Sequence, residues 1–384
     1  MSNLLLYNSL TRKKELFKPF KDNAVSIYVC GITPYDTTHL GHAFTYVHFD
    51  VLVRYLKFLG YKVNYVQNVT DIDDDILKKA KETGQDWKEL GNYWTKQFLK
   101  DMKDLSVLPP DHYVKATNSI AMMIRIIRVF LESEHAYSRG GNVYFRVKKF
   151  KEYGKLSGYS YSQMVQLLKE RGGDPSDPNK ENPLDFILWQ AKKEQEPFWK
   201  SPFGDGRPGW HIECCAMAYR YLGKQIDIHG GGFDLIFPHH ESEIAQSESF
   251  TGKEPFSRYW MHTAMVKYEK EKMSKSLGNL IMIRNLLKKY SANAVRLAIL
   301  SQHYRSQWSF KEKEVEAAEK TLSSILLLPY SKKKPDLKKL SKFFSYLNDD
   351  LDTKSALGEV LRLAKKDTNA SDARAALYIL GFSL

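Results

Sequence analysis

Short β-branched apolar runs alternate with a longer stretch of helical hydrophobic periodicity near the start of the chain. Residues 24–30, Ala-Val-Ser-Ile-Tyr-Val-Cys, predict a buried strand that Gly31 closes. Apolar positions from 43 to 59 follow a helical period, and Gly60 is a natural C-terminal stop. Residues 62–68 predict a second strand. Strand, polar loop, helix and strand make the βαβ unit of a parallel sheet, so we expect an α/β fold.

A long region of different character, residues 77–200, interrupts this pattern. Its features are a helical period at 120–131, a hairpin signal at 139–142 and a loop-like run at 172–183. Further strands are expected at 225–229 and 259–266. Helices are predicted at 292–301 after Ser291 as N-cap, at 315–328 and at 343–366. The pattern therefore predicts a split parallel sheet followed by an α-helical bundle.

Composition adds a prediction about partners. The 384 residues carry a formal net charge of +13, and the excess Lys and Arg are spread along the chain. Such a charge favours a polyanionic partner, nucleic acid first, although a generally basic proteome gives the same value. The three cysteines, an odd number, argue against a disulfide framework and indicate a reducing compartment. The N-terminus lacks the pattern of a signal peptide and no apolar run reaches membrane length, so we expect a cytoplasmic protein without membrane contact.

A metal site is the first candidate for chemistry. His239 and Glu243 are four residues apart, which places both side chains on one face if the segment is helical. With Cys30 and Cys214 they match the donor types of a tetrahedral zinc site. The alternative is a solvated, His-rich helix start with buried, inert cysteines. Spacing leaves both interpretations open.

The turn His39-Leu40-Gly41-His42 lies between the first predicted strand and its helix. Unpaired N–H groups and the positive dipole at a helix N-terminus suit phosphate. Gly41 lets a nucleotide lie against the backbone, and His39 and His42 can donate hydrogen bonds to phosphate oxygens. Helix capping or solvation of the two histidines is the alternative.

Three consecutive glycines, Gly230, Gly231 and Gly232, follow the strand predicted at 225–229. Glycine at a strand end allows close approach of the backbone to a ligand such as the adenosine of a nucleotide. An ordinary tight turn is the other interpretation. Downstream, the Lys-rich run 267–276 is by itself typical of a solvated surface.

Taken together, these residues resemble the cysteinyl-tRNA synthetases, a group of class I aminoacyl-tRNA synthetases, over essentially the whole chain. The turn at 39–42 resembles the class I HIGH motif, and residues 272–276 match KMSKS letter for letter. The blocks 209–214 and 229–243 between these motifs are typical of the cysteine enzymes. The resemblance implies a Rossmann-like catalytic domain split by an insertion, then a connector and a helical bundle.

The resemblance also implies an activity. L-cysteine would react with ATP, accompanied by Mg²⁺, to give cysteinyl-adenylate and pyrophosphate, and cysteine would then pass to tRNA(Cys). His39 and His42 would stabilise the reacting phosphates, and Lys272 and Lys275 the departing pyrophosphate. Residues 230–232 would pass beneath the adenosine.

One zinc ion per chain is a further implication, held at the positions that match the family's two Cys, His and Glu. These positions are Cys30, Cys214, His239 and Glu243. Zinc would select a thiolate over the serine hydroxyl, which is a poor zinc ligand. Thr70 and Trp210 match residues that line the amino-acid pocket, and His211, His229 and His240 match other histidines near it.

The expected organisation divides the chain into five parts. They are the first half of the catalytic domain (1–115), the insertion (116–204), the second half of the catalytic domain (205–258), the KMSKS connector (259–312) and the helical bundle (313–384). An anticodon-binding piece is expected to be missing or shortened, and the protein is expected to be a monomer. The sequence departs from the family pattern at Asp75, Cys215 and Phe233, where the family commonly has Lys, no additional thiol and a small residue.

Three rival functions remain open. Ligases that join cysteine to an amino-sugar use the same adenylate and need no anticodon domain, but the basic charge and long helical tail disfavour them. A non-catalytic RNA-binding relative is disfavoured by the intact motifs and zinc-ligand candidates. Simple adenylyltransferases share the HxGH turn but lack the insertion and the cysteine pair.

Overall fold

The computed structural model describes residues 3–36, 38–269, 271–273, 278–326, 335–365 and 370–383, with the backbone alone at 271, 272 and 324–326. The strands are β1 (Leu5–Asn8), β2 (Lys13–Leu16), β3 (Ala24–Ile32), β4 (Lys62–Val69), β5 (His112–Lys115), β6 (Ala136–Arg139), β7 (Asn142–Phe145), β8 (Phe186–Ala191), β9 (Gly206–Pro208), β10 (Ile226–Gly232), β11 (Ser257–Thr263), β12 (Val266–Tyr268), β13 (Glu271–Lys272) and β14 (Trp308–Phe310). The helices are α1 (Leu40–Phe58), α2 (Asp74–Thr83), α3 (Trp87–Asp104), α4 (Ile120–Glu132), α5 (Tyr161–Glu170), α6 (Trp210–Leu222), α7 (Glu241–Thr251), α8 (Ile283–Leu287), α9 (Ala292–Leu300), α10 (Glu312–Leu326), α11 (Ser341–Asn348), α12 (Thr353–Ala364) and α13 (Ala370–Ile379).

A five-stranded parallel sheet in the order β11-β10-β3-β4-β5 forms the centre of the molecule. The predicted α/β fold with a parallel sheet is confirmed. The order reverses between β3 and β10, because β4 and β5 lie on one side of β3 and β10 and β11 on the other. Open parallel sheets bind ligands beyond the carboxyl ends of the strands at such a switch point. The fold therefore places a candidate site where Cys30 and the turn at 39–42 lie.

Two strand ends predicted at glycines are wrong, and the single strand predicted at 259–266 is divided, since β11 ends at Thr263 and β12 begins at Val266. Gly31 continues β3 instead of closing it, and β10 extends through Gly232. Close packing explains the glycines, since a Cβ on Gly31 would lie 1.5 Å from Asn68 O. A Cβ on Gly230 would lie 2.1 Å from the ring of Phe49. These glycines let neighbouring groups approach the strand; they do not end it.

The interrupting region contains its own antiparallel sheet in the order β6-β7-β8-β9. The predicted hairpin at 139–142 is present, and Gly140 and Gly141 take positive φ values of 59° and 79° in its turn. Helix α4 matches the predicted helical period at 120–131. Helices α4 and α6 pack together, so the region rests on the central sheet through apolar contacts.

The helix predicted at 343–366 is wrong, since α11 and α12 occupy this segment with a turn between them. Asp350 in that turn has a positive φ of 60°, and its buried carboxylate accepts hydrogen bonds from Tyr7 N at 2.8 Å and Tyr304 Oη at 2.6 Å. These tertiary bonds fix the break. Ser291 caps α9 as predicted, accepting from Ala294 N at 3.2 Å.

Buried apolar side chains form two large clusters. One joins α1 and the central sheet to the C-terminal helices, and the other joins the sheet to the inserted region and α6. Arg296 is fully buried between α1 and the C-terminal segment, where it pairs with Asp50. None of the helices among the described residues has the length and apolar character needed to cross a membrane.

Candidate active site

Four side chains from distant parts of the chain meet below the carboxyl ends of the strands. Cys30 lies on β3, Cys214 on α6, His239 in the wide turn before α7 and Glu243 in the first turn of α7. The possible ligand atoms of these side chains lie within 4.8 Å of one another. Glu243 Oε1 is 3.1 Å from His239 Nε2 and 3.6 Å from Cys30 Sγ. The structure thus brings together the predicted metal-ligand set.

Burial shapes the charge of this cluster. It raises the pKa of Cys30 and Glu243 well above their ordinary values and lowers the pKa of His239 well below its own, because charged forms are disfavoured away from water. A divalent cation among these donors favours thiolate, carboxylate and neutral imidazole. Two sulfurs, one imidazole and one carboxylate match the donors that zinc takes in proteins. The donor set therefore fits a metal ion.

Other histidines surround the four donors. His229 Nε2 lies 2.9 Å from Glu243 Oε2, and His211 Nδ1 lies 2.9 Å from His239 Nδ1. Hydrogen bonds of this kind hold metal ligands in orientation. His240 Nε2 lies 3.3 Å from Cys30 Sγ. A second set of possible metal donors, which overlaps the first, consists of Cys30, His229, His240 and Glu243.

Cys215 has a different environment from its neighbour Cys214. Its sulfur accepts a hydrogen bond from Ser247 Oγ at 3.3 Å, and burial raises the pKa of its thiol to about 12. Neither group of possible metal donors around Cys30 includes Cys215. The geometry favours Cys214 over Cys215 as the donor.

The turn at 39–42 begins helix α1 beside this cluster. His39 is the N-cap of α1, and its ring accepts a hydrogen bond from His42 N at 3.4 Å. The His39 and His42 rings stack with centroids 3.7 Å apart. A Cβ on Gly41 would lie 3.0 Å from the His39 ring, so glycine keeps this approach open. The two imidazoles therefore face the same cavity from a helix N-terminus.

That cavity has a volume of about 320 Å³ and connects the predicted groups. Its lining includes Cys30, His39, His42, Trp210, Gly232 and Met273. Trp210, 38% exposed, stacks on His239 with ring centroids 4.2 Å apart. One cavity is therefore lined both by Cys30, a candidate metal ligand, and by the N-terminus of α1, which suits phosphate.

Some predicted residues lie elsewhere. Thr70 is buried and does not line the cavity, and its hydroxyl accepts from Asn68 Nδ2 at 3.2 Å. Gly230 and Gly231 face packed side chains, so among the three glycines only Gly232 lines the cavity. Lys275 and the side chain of Lys272 lie outside the described residues.

Sequence reasoning missed Tyr35, Asp36 and His262 near the site, and it identified Asp75 only as a departure from the family pattern. Tyr35, Asp36 and Asp75 line the cavity, and Tyr35 Oη donates to Asp75 Oδ2 at 2.9 Å. On β11, the Nε2 atom of His262 lies 2.8 Å from His240 Nδ1. Tyr35 and Asp36 follow β3, as Asp75 follows β4, at the carboxyl end where a parallel sheet places ligand groups, whereas nothing in the local pattern marks His262.

Known proteins of one family resemble this chain over most of its length. Residues 16–320 match the profile of the family described as tRNA synthetases class I (C) catalytic domain. A cysteine–tRNA ligase of Dehalococcoides mccartyi strain 195 is 45% identical over 369 residues, covering 94% of this chain and 80% of the relative. One from Thermococcus onnurineus is 51% identical over 320 residues, covering 83% of this chain and 66% of the relative.

Solved structures support the fold at much lower sequence identity. Mycobacterium tuberculosis methionyl-tRNA synthetase with methionyl-adenylate is 14% identical with a TM-score of 0.63, over 93% of this chain and 88% of that one. A leucyl-tRNA synthetase from Agrobacterium radiobacter, solved with tRNA and an adenylate analogue, is 10% identical with a TM-score of 0.67. That match covers 95% of this chain and 84% of the other.

Proposed function

Because this chain belongs to the cysteine–tRNA ligase family of class I aminoacyl-tRNA synthetases, we propose that it activates L-cysteine with ATP and transfers it to tRNA(Cys). The observation that carries the proposal is the buried cluster of Cys30, Cys214, His239 and Glu243, because its member Cys30 lines the same cavity as His39 and His42. Thiol recognition and phosphate chemistry thereby share one space.

In the first step a cysteine carboxylate oxygen attacks the α-phosphorus of ATP, and the bond from that phosphorus to the bridging oxygen breaks. Pyrophosphate leaves with its Mg²⁺. His39 and His42 donate hydrogen bonds to the phosphates from the start of α1, where the helix dipole also favours negative charge. Lys272 and Lys275 neutralise the departing pyrophosphate, and Gly232 lies against the adenosine.

In the second step a hydroxyl of the terminal ribose of tRNA attacks the cysteinyl carbonyl. The bond between the carbonyl carbon and the phosphate oxygen breaks, AMP leaves, and the proton of the hydroxyl is released to solvent. Positioning accounts for most of this step, since the adenylate is already activated. Trp210 supports the amino-acid side of the cavity through its stack on His239.

Selection of cysteine over serine is assigned to zinc held by Cys30, Cys214, His239 and Glu243. When bound, zinc supplies a soft Lewis acid that prefers a thiolate to a hydroxyl. A site built around one required polar contact can reject a near-isostere by a factor of about 10⁴. Thr70 contributes only indirectly: its hydroxyl accepts a hydrogen bond from Asn68 Nδ2, and Asn68 Oδ1 accepts from Gly31 N beside Cys30.

The test is transfer of labelled cysteine to tRNA(Cys) by the zinc-loaded protein with ATP, with serine as the matched control. Base-labile cysteine on tRNA, with none from serine, supports both the activity and the selection. Cysteine-dependent ATP–pyrophosphate exchange without charging of tRNA would favour a ligase whose acceptor is an amino-sugar. The absence of any exchange would favour a non-catalytic RNA-binding protein.

Two structural expectations belong to the same proposal. The catalytic domain is divided at 115 and 205 by the insertion and is followed by a connector at 259–312 and a bundle at 313–384. The protein acts as a monomer with one zinc ion. Light scattering of the purified protein combined with metal analysis would test both statements about stoichiometry.

A further inference from the structure

A second cavity adjoins the active-site cavity on the β11 side of the sheet. It has a volume of about 520 Å³, and Ala264, just after β11, lines both cavities. Its walls come from the N-terminal segment, the inserted region and the turn after β10. The N-terminal segment contributes Tyr7 and Arg12, the inserted region contributes Tyr159, and the turn after β10 contributes Phe233. Neither step of the proposed reaction uses this space.

Aromatic side chains give the cavity flat apolar surfaces. Phe233, directly after Gly232, is 47% exposed. The Tyr159 ring is held edge-on against Phe237 with centroids 6.3 Å apart. Tyr7 packs against the Arg305 guanidinium, whose centre lies 4.2 Å from the ring centroid. Neighbouring contacts therefore position the two tyrosines while Phe233 stays accessible.

Arg12 adds a positive charge at the same opening. It is exposed, its backbone has a positive φ of 59°, and its Nη2 donates to Ser157 O at 3.1 Å. A Cβ on Gly158 would lie 1.8 Å from Nη2, so glycine allows this close contact with the inserted region. None of the ion pairs among the described residues includes Arg12. Its charge is therefore not cancelled by a described carboxylate.

Aromatic faces beside a guanidinium are the combination that binds unpaired nucleotides, since bases stack on rings and phosphates meet the cation. We propose that this cavity binds an unpaired nucleotide near the 3′ end of the tRNA acceptor strand, with its base on Phe233 and its phosphate at Arg12. The inference rests on the proposed function, which requires that single-stranded end to reach the neighbouring cavity. The net charge of +13 is consistent with a nucleic acid partner.

The experiment compares Phe233→Ala and Arg12→Gln with matched surface controls. Tyr378, 72% exposed on α13, provides the aromatic control Tyr378→Ala, and Arg128 on α4 provides Arg128→Gln. Three quantities are measured: cysteine-dependent ATP–pyrophosphate exchange, kcat/KM for tRNA(Cys), and the affinity for tRNA with and without its unpaired 3′ nucleotides. Exchange needs no tRNA, so it reports the active site alone.

We expect exchange to stay unchanged in both cavity variants while kcat/KM for tRNA falls by about 10-fold in Phe233→Ala, the effect of losing one base stack. The affinity loss should appear with intact tRNA and vanish with trimmed tRNA. Transfer kinetics equal to those of the controls would overturn the proposal, as would an equal loss of affinity for trimmed tRNA. If the unaltered protein shows neither exchange nor charging, the proposed function fails, and the binding comparison still tests the cavity.

Discussion

The sulfur atoms of Cys30 and Cys214 lie 3.9 Å apart although 184 residues separate them in the chain. Cys215, the next residue, instead contacts Ser247. This difference makes the two adjacent cysteines a matched pair for testing the metal site.

Cys214→Ser should lower metal affinity by more than about 10-fold, the lower limit found when even an outer partner of a metal site is lost. Cys215→Ser should keep the metal content of the unaltered protein, because its sulfur is directed to Ser247. Metal analysis after dialysis against a weak chelator measures both. Equal metal loss in the two variants would contradict the assignment of Cys214.

Arg296→Met should destabilise the protein strongly. The Arg296 guanidinium donates to Leu380 O at 2.8 Å and Leu105 O at 2.9 Å and pairs with Asp50. Its loss leaves two buried carbonyls and a buried carboxylate, which keeps two partners: Arg54 Nε at 2.9 Å and Leu108 N at 2.8 Å from Asp50. We expect about 3 kcal/mol less free energy of unfolding, measured by denaturant titration.

The control for this change is Arg128→Met. Arg128 pairs with Glu132 at 3.7 Å, and the two side chains are 60% and 69% exposed. An exposed pair of this kind contributes less than about 1 kcal/mol. A similar loss of stability in the two variants would show that the buried pair has no special role.

Gly31→Ala should destabilise β3 and disturb the metal site next to it. The added Cβ would lie 1.5 Å from Asn68 O, so β3 and β4 must separate. We expect a loss of at least about 2 kcal/mol in the free energy of unfolding, together with weaker metal binding through displaced Cys30.

Gly358→Ala is the opposite case. Gly358 lies inside α12, and no described atom outside its own helical turn lies within 4 Å of the position that an alanine methyl would take. Alanine therefore adds helix propensity without a clash, and the expected gain is about 0.5–1 kcal/mol. Thermal unfolding of both glycine variants would check the contrast, and loss of stability in Gly358→Ala would refute it.

Buried His48 should make the protein less stable in mild acid. Burial lowers the pKa of His48 to about 4, with further lowering from His303 and Arg296, although carbonyl contacts at Phe44 and Gln302 oppose the shift. Between pH 4 and the unfolded value of 6.5 the unfolded chain binds this proton and the folded chain does not. Stability therefore falls as the pH drops through that window.

The measurement is the free energy of unfolding against pH for the unaltered protein and for His48→Gln. Glutamine can still donate to a carbonyl, so the hydrogen bond to Phe44 O, 2.7 Å from His48 Nδ1, has a replacement donor. The slope between about pH 4 and 6.5 should be shallower in the variant. Identical slopes would contradict the prediction.

Local pattern was sufficient for the elements with strong periodicity. Helix α1, strand β4, helix α4 and the cap at Ser291 all follow from apolar spacing and the residues at their ends. The sequence pattern gave wrong element boundaries where tertiary packing determines the backbone conformation. Gly31 looked like a strand end because the close contact with Asn68 O is invisible in the sequence.

The α/β class, the order of the motifs, the family resemblance and the residue types that can hold a metal all follow from the amino-acid sequence. Three further features required the folded chain: Cys214 and not Cys215 contacts Cys30, Thr70 does not line the cavity, and Phe233 lines a second cavity. Local spacing governs hydrogen bonding within helices and strands. The approach of residues far apart in the chain depends on how the sheet, the insertion and the helices pack together.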